Sequence, residues 1–143
     1  MRALAPLLAL VMTSPAFAEA PKVQVVFMTA DWCPNCAALA PQLATAIARV
    51  EGVARVDVDT TDARRRAESA ERARRDNLTS VHDAYAGRTG FAAVVDRASG
   101  RTLGCITAAY AAPEIEGALR RAVWNAAHPQ RPPRELRLSA CPA

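Results

Sequence analysis

Thr29-Ala30-Asp31-Trp32-Cys33-Pro34-Asn35-Cys36 decides the fold of this 143-residue chain. An apolar, β-branched run leads into it: Val23, Val25, Val26, Phe27, Met28. A helical pattern leads out of it: Leu39, Leu43, Ala46, Ile47, Val50. Two cysteines separated by two residues therefore stand where a strand hands over to a helix. Backbone N–H groups at a helix start are unpaired and the dipole there is positive, so a thiolate is stabilised. A stabilised thiolate is the nucleophile of thiol chemistry. Cys36, one turn on, can attack a mixed disulfide formed on Cys33. Pro34 suits the first helical turn, where its missing N–H leaves no bond unmade.

A CxxC pair has two other readings, a structural disulfide or half of a metal site. A zinc site needs a second Cys or His pair nearby. Cys105 and Cys141 form no second CxxC, and His82 and His128 are scattered. The strand-to-helix setting favours redox chemistry.

The segment from Val25-Val26-Phe27 through Ala30-Asp31-Trp32-Cys33-Pro34-Asn35-Cys36 to Pro41 resembles the active-site segment of the thioredoxin superfamily. Pro41 holds the place of that family's proline, five residues after the second cysteine. The resemblance implies a thioredoxin-like α/β fold in the order β-α-β-α-β-β-α, a mixed central sheet flanked by helices. It implies exchange through Cys33 as attacking nucleophile and Cys36 as resolving thiol. It also implies a substrate groove framed by Trp32, Pro34 and Asn35. Two departures stand out. The family's cis-proline opposite the CxxC has no counterpart, since there is no proline between Pro41 and Pro113. Gly90, Phe91 and Ala92 are the nearest equivalents and complete the expected groove, with a trans loop expected there. Phe27 stands where thioredoxin carries a buried acid.

Residues 1–18 read as a secretory signal, with Arg2 as the basic start, an apolar run over 3–12 and Ala16-Phe17-Ala18 as a cleavage site. That run is shorter than the roughly 20 residues a membrane span needs. The expected organisation is a signal at 1–18, a thioredoxin-like domain at 19–127 and a Pro-rich tail at 128–143. A periplasmic or secreted location follows, where disulfides persist. The formal net charge is +4. Export removes nucleic acid as a partner, so Arg64-Arg65-Arg66 reads as a solvated helix face. No nucleotide, phosphate-loop or hydrolase motif is present, and no organic cofactor or resident metal is expected. The expected partner is a dedicated protein thiol or disulfide, the chain acting as a monomer without a membrane span. A copper-type metal-handling module on Cys33 and Cys36, and a redox-inert binding domain stapled by them, remain the alternatives.

Further along, Val53, Val56 and Val58 mark a strand that completes a right-handed β-α-β unit with parallel strands. A helix is predicted over Ala63–Asp76, with an apolar stripe at Ala63, Ala67, Ala70 and Ala73. Glu68 is expected to face Arg72, and Glu71 to face Arg75. Leu78, Val81 and Tyr85 continue or restart it. Ala92–Val95 and Arg101–Thr107 read as a hairpin. Pro113 is expected at the first position of a last helix buried through Ile115, Leu119, Ala122, Val123 and Ala126. In an exported protein two leftover cysteines pair. A Cys105–Cys141 structural disulfide would pin the tail to the sheet.

Overall fold

The computed structural model describes residues 19–143; the signal segment read at 1–18 lies outside the described residues. β1 (Val23–Thr29) runs up the centre of a four-stranded sheet. All of its residues from Val23 to Met28 are buried, Gln24 included. A near-continuous apolar run suits a strand covered on both faces. β2 (Val53–Asp59) pairs with β1 in parallel, Val26 opposite Val56. β3 (Phe91–Asp96) pairs with β1 antiparallel, and β4 (Thr102–Thr107) pairs antiparallel with β3. The sheet order is β2-β1-β3-β4.

Side chains alternate across this sheet. Val23, Val25, Phe27, Ala92, Val94 and Ile106 pack under α1 (Pro34–Ile47) and α4 (Ala112–Ala127). Val26, Met28, Ala93, Val95 and Cys105 pack under α2 (Ala63–Arg75) and α3 (Thr79–Ala84). The architecture is mixed α/β with helices on both faces, as the sequence indicates, plus one short helix.

That extra helix has a local cause. α2 closes with Asn77 at φ +57, while Leu78 donates its N–H to the Ala73 carbonyl at 2.7 Å and Asn77 to Arg74 at 3.4 Å. This is a Schellman closure with Asn in the left-handed position and buried Leu78 against buried Ala73. The chain therefore restarts at Thr79 rather than running on. Within α2 the expected apolar stripe shifts: Ala63 and Ala67 are exposed, and Ser69 and Ala73 are the buried positions. Ser69 is accommodated because its hydroxyl accepts the Asp59 N–H at 2.9 Å. The ion pairs are Arg64 with Glu68 and Arg74 with Glu71, in place of the expected Glu68–Arg72 and Glu71–Arg75.

α1 ends at Ile47, short of the expected Val50, because Arg49 and Val50 tighten onto Ala46 and Ile47 by three-residue bonds. Pro113 stands second in α4, after Ala112, which donates its N–H to Gln42 Oε1 at 2.9 Å. Ile115, Ala118, Leu119 and Ala122 are buried, and Val123 and Ala126 only partly. Trp124 packs between His128, stacked with ring centroids 4.6 Å apart, and the Arg134 guanidinium 3.9 Å above its ring.

After a short turn the tail lies first against α4, where Arg121 donates to the Leu136 carbonyl, and reaches the β4 edge only at residues 138–141. Ser139 and Cys105 exchange both backbone hydrogen bonds, 2.9 and 3.1 Å, forming one rung beside β4. Gly104 makes room for it: a Cβ there would lie 2.6 Å from Leu138 Cβ. Tyr110 reaches Ser139 Oγ at 2.9 Å, and Asn125 exchanges two hydrogen bonds with the Arg134 backbone. Cys141 is bonded to Cys105. The tail thus covers an edge that would otherwise present unpaired backbone groups.

Candidate active site

Cys33 and Cys36 are joined in a disulfide, with Cα atoms 5.2 Å apart. The two sulfurs have different surroundings. Cys33 is the N-cap residue of α1, and its Sγ accepts the Cys36 N–H at 3.1 Å. Pro34, the first residue of α1, has no N–H of its own to offer. A donor and the positive helix end favour negative charge on Cys33. Cys36 Sγ faces the Met28 carbonyl oxygen at 3.7 Å. An acceptor there favours a protonated thiol once the pair is reduced. The two sulfurs are therefore unequal, one beside a donor and the other beside an acceptor.

Both residues are nearly sealed, Cys33 6% exposed and Cys36 3%. Trp32, next to Cys33 in sequence, is 62% exposed. Gly90 lies beside Cys33 Sγ. Its φ is +92, and a Cβ on it would meet Asn35 Cβ at 3.1 Å and Cys33 Sγ at 3.6 Å. The glycine is demanded twice, by the backbone and by the close approach of Asn35 Cβ. Its N–H donates to the Met28 carbonyl at 2.9 Å, which anchors the start of β3 beside the site. The peptide bonds of this loop are trans. Of the residues expected in the groove, Asn35 and Gly90 meet beside Cys33 Sγ, Pro34 lies between the cysteines as the first residue of α1, and Trp32 turns its indole N–H to the Thr61 carbonyl. Phe91 does not: it turns to the other face and packs edge-to-face on Tyr85 at 5.3 Å. Ala92 is fully buried in the core beneath α1. A strand that starts at Phe91 alternates its side chains, so three consecutive residues cannot share one groove.

Phe27 lies in the same core cluster as the cysteines and is 2% exposed. The Arg55 guanidinium covers its ring at 5.0 Å and forms an ion pair with Asp57 at 2.7 Å.

Arg65 is the site-proximal residue that the sequence reading passed over. It lies far from the CxxC in sequence, yet its guanidinium pairs with Asp31, two residues before Cys33. It also reaches Asp59 at 3.5 Å. The hydrogen bond and charge of Asp31 push Arg65 further above its ordinary value. Burial works to raise the Asp59 carboxyl, but hydrogen bonds from Thr61 and the charge of Arg65 outweigh it and hold Asp59 below its usual range.

A groove of about 680 Å³ lies between the tail, α4 and the β3–β4 hairpin, lined by Leu103, Asn125 and Leu136 among others. None of the residues around the Cys33–Cys36 disulfide contributes to it. Among the described residues no group of three or more His, Cys, Asp or Glu side chains is gathered for a metal ion. No helix among them is long and apolar enough to cross a membrane.

No curated protein matches the chain. The thioredoxin family model matches residues 13–73, the part that carries β1, the CxxC, α1, β2 and most of α2. That match, the mixed sheet with helices on both faces, and a CxxC disulfide at the start of α1 support membership of the thioredoxin superfamily and a thioredoxin-like fold.

Proposed function

We propose that this protein is an exported thiol–disulfide oxidoreductase acting on a protein partner through Cys33 and Cys36. The observation that carries this is the unequal setting of the two sulfurs. Cys33 has an N–H donor at the helix start, and Cys36 faces a carbonyl oxygen. In the reduced protein the Cys33 thiolate attacks one sulfur of a partner disulfide. That S–S bond breaks, and the second partner sulfur leaves and takes up a proton. Cys36, giving up its own proton, then attacks Cys33, breaks the mixed disulfide and releases the first partner sulfur. Two electrons and two protons pass from the protein dithiol to the partner, and the reverse sequence oxidises a partner dithiol. Exported location is part of the proposal. The Cys105–Cys141 bridge is in keeping with an oxidising compartment.

The test is a pair of substitutions. Cys33→Ser abolishes exchange with a disulfide substrate. Cys36→Ser leaves Cys33 able to attack and accumulates a mixed disulfide visible by mass spectrometry. Equal residual activity in the two variants contradicts the assignment.

One observation favours a second reading. With Cys33 6% and Cys36 3% exposed, the pair is as enclosed as a structural staple. A staple resists reduction by glutathione, whereas an exchange couple equilibrates with it.

A further inference from the structure

The loop between β2 and α2 forms a wall against the site. Asp31 donates its backbone N–H to Thr61 Oγ1 at 2.9 Å, and Trp32 its indole N–H to the Thr61 carbonyl at 3.4 Å. Thr61 is fixed in turn by Asp59, whose Oδ1 accepts the Thr61 N–H at 2.9 Å and its hydroxyl at 2.5 Å. Arg65 closes this circuit. Its backbone N–H is capped by Asp62 at 2.9 Å, which aims the side chain back over the loop. Its guanidinium then pairs with Asp31, Asp59 and Asp62. No other cation among the described residues pairs with these three carboxylates. Neighbouring charges are engaged elsewhere: Arg64 with Glu68, Arg66 with the Thr60 carbonyl, and Arg72 with the Asp57 carbonyl. The atoms nearest a Cβ position on Gly90, those of Asn35 and Cys33 Sγ, include no charged group.

Asp31 alone would disfavour a thiolate two residues away. We propose that Arg65 is a positioning residue for Cys33: it holds the Asp31-Trp32 turn against Thr61 and offsets the Asp31 charge, so that the Cys33 thiolate is favoured. The inference rests on the exchange chemistry proposed above and names what tunes its nucleophile. Arg65 touches neither the sulfur nor the partner in the account; it acts through Asp31.

Opposite charges on one circuit give opposite outcomes. Removing Arg65 leaves Asp31, Asp59 and Asp62 uncompensated and makes the Cys33 thiol harder to ionise. Removing the Asp31 charge leaves Arg65 in place and makes it easier. The experiment is iodoacetamide alkylation of Cys33 against pH, followed by mass spectrometry, in the mature chain carrying Cys36→Ala. Arg65→Ala moves the alkylation midpoint up by roughly 0.5–1 pH unit, the pair being solvent-exposed and partly screened. Asp31→Asn moves it down, and Arg65→Lys, which keeps the charge, returns most of the change. Because nucleophilicity falls as a thiol becomes more acidic, the attack rate below the midpoint drops by only roughly two- to four-fold in Arg65→Ala. A clamp without electrostatic consequence moves Arg65→Ala and Asp31→Asn in the same direction or not at all, and either result overturns the proposal. The midpoint is read without any partner. Failure of wild-type exchange with a disulfide substrate counts against the proposed function, and an unmoved midpoint counts against Arg65.

Discussion

The two disulfides belong to opposite faces of one sheet and sit in different surroundings. Cys33–Cys36 spans a sequence separation of 3 within a single strand-to-helix turn, on the α1/α4 side. Cys105–Cys141 spans 36 and ties the tail across the edge of β4, on the α2/α3 side. Loop-closure entropy grows with loop length, so the short bridge restricts the unfolded chain by roughly 2 kcal/mol and the long one by roughly 3–4 kcal/mol. The short bridge can therefore open and close at small expense to the fold. The long one is joined by a backbone rung at Ser139, a hydroxyl contact from Tyr110 and the packing of Leu136 and Leu138. What distinguishes a working disulfide from a fastening one is the set of groups around each sulfur. Cys33 Sγ accepts an N–H at a helix start and lies beside Gly90, whereas Cys105 sits within β4 and exchanges backbone hydrogen bonds with the tail.

Removing both Cys105 and Cys141 by serine substitution sharpens this contrast most. Stability by denaturant titration falls by roughly 3–4 kcal/mol, while Cys33–Cys36 exchange in the folded protein is retained. Loss of exchange without loss of stability would mean that the two bridges are not separate in function. Gly104→Ala is next. The new Cβ meets Leu138 and displaces the tail, at a cost of about 1–3 kcal/mol in the same titration. Gly90→Ala costs more than about 1 kcal/mol, because φ is +92, and it slows exchange by pushing against Asn35 between the two cysteines. An alanine that slows exchange equally at Gly104 and Gly90 breaks the assignment of one glycine to the tail and one to the site.

The smallest expected effect is on acid stability. Asp59 has its folded pKa held below the usual 3.8, so its contribution is fully present above the unfolded value and is lost as pH falls through the folded one. Asp59→Asn therefore flattens the loss of stability below about pH 4, measured by thermal melts from pH 2 to 6. An unchanged acid limb would remove Asp59 from the circuit that holds Thr61.

The parts of the fold that were legible in the sequence are those set by local pattern. An apolar β-branched run, a CxxC and a three-to-four-residue apolar spacing define β1, the turn and α1 without reference to the rest of the chain. Asn77 carries a local signal as well, since Asn is a favoured left-handed closing residue, but the apolar spacing of Leu78, Val81 and Tyr85 masks it. Other features depend on contacts between distant segments. Ser69 reads as a polar interruption of a helix face until Asp59 is seen beside it. Arg65 reads as one of three surface arginines until the loop after β2 comes to rest against Asp31. Gly104 reads as an ordinary strand residue until the tail is laid over it. Phe91 and Ala92 were expected beside the cysteines because they adjoin Gly90 in sequence. The pleat of β3 sends them to opposite faces, leaving Gly90 alone at the sulfur.

The reduction potential of Cys33–Cys36 tests the central claim most directly, by equilibration with glutathione or dithiothreitol, thiol labelling and mass spectrometry that resolves the two bridges. A couple that exchanges equilibrates between about −120 and −270 mV, while Cys105–Cys141 stays oxidised throughout. A Cys33–Cys36 value below about −300 mV would make this pair a fastening like the other and would contradict the account.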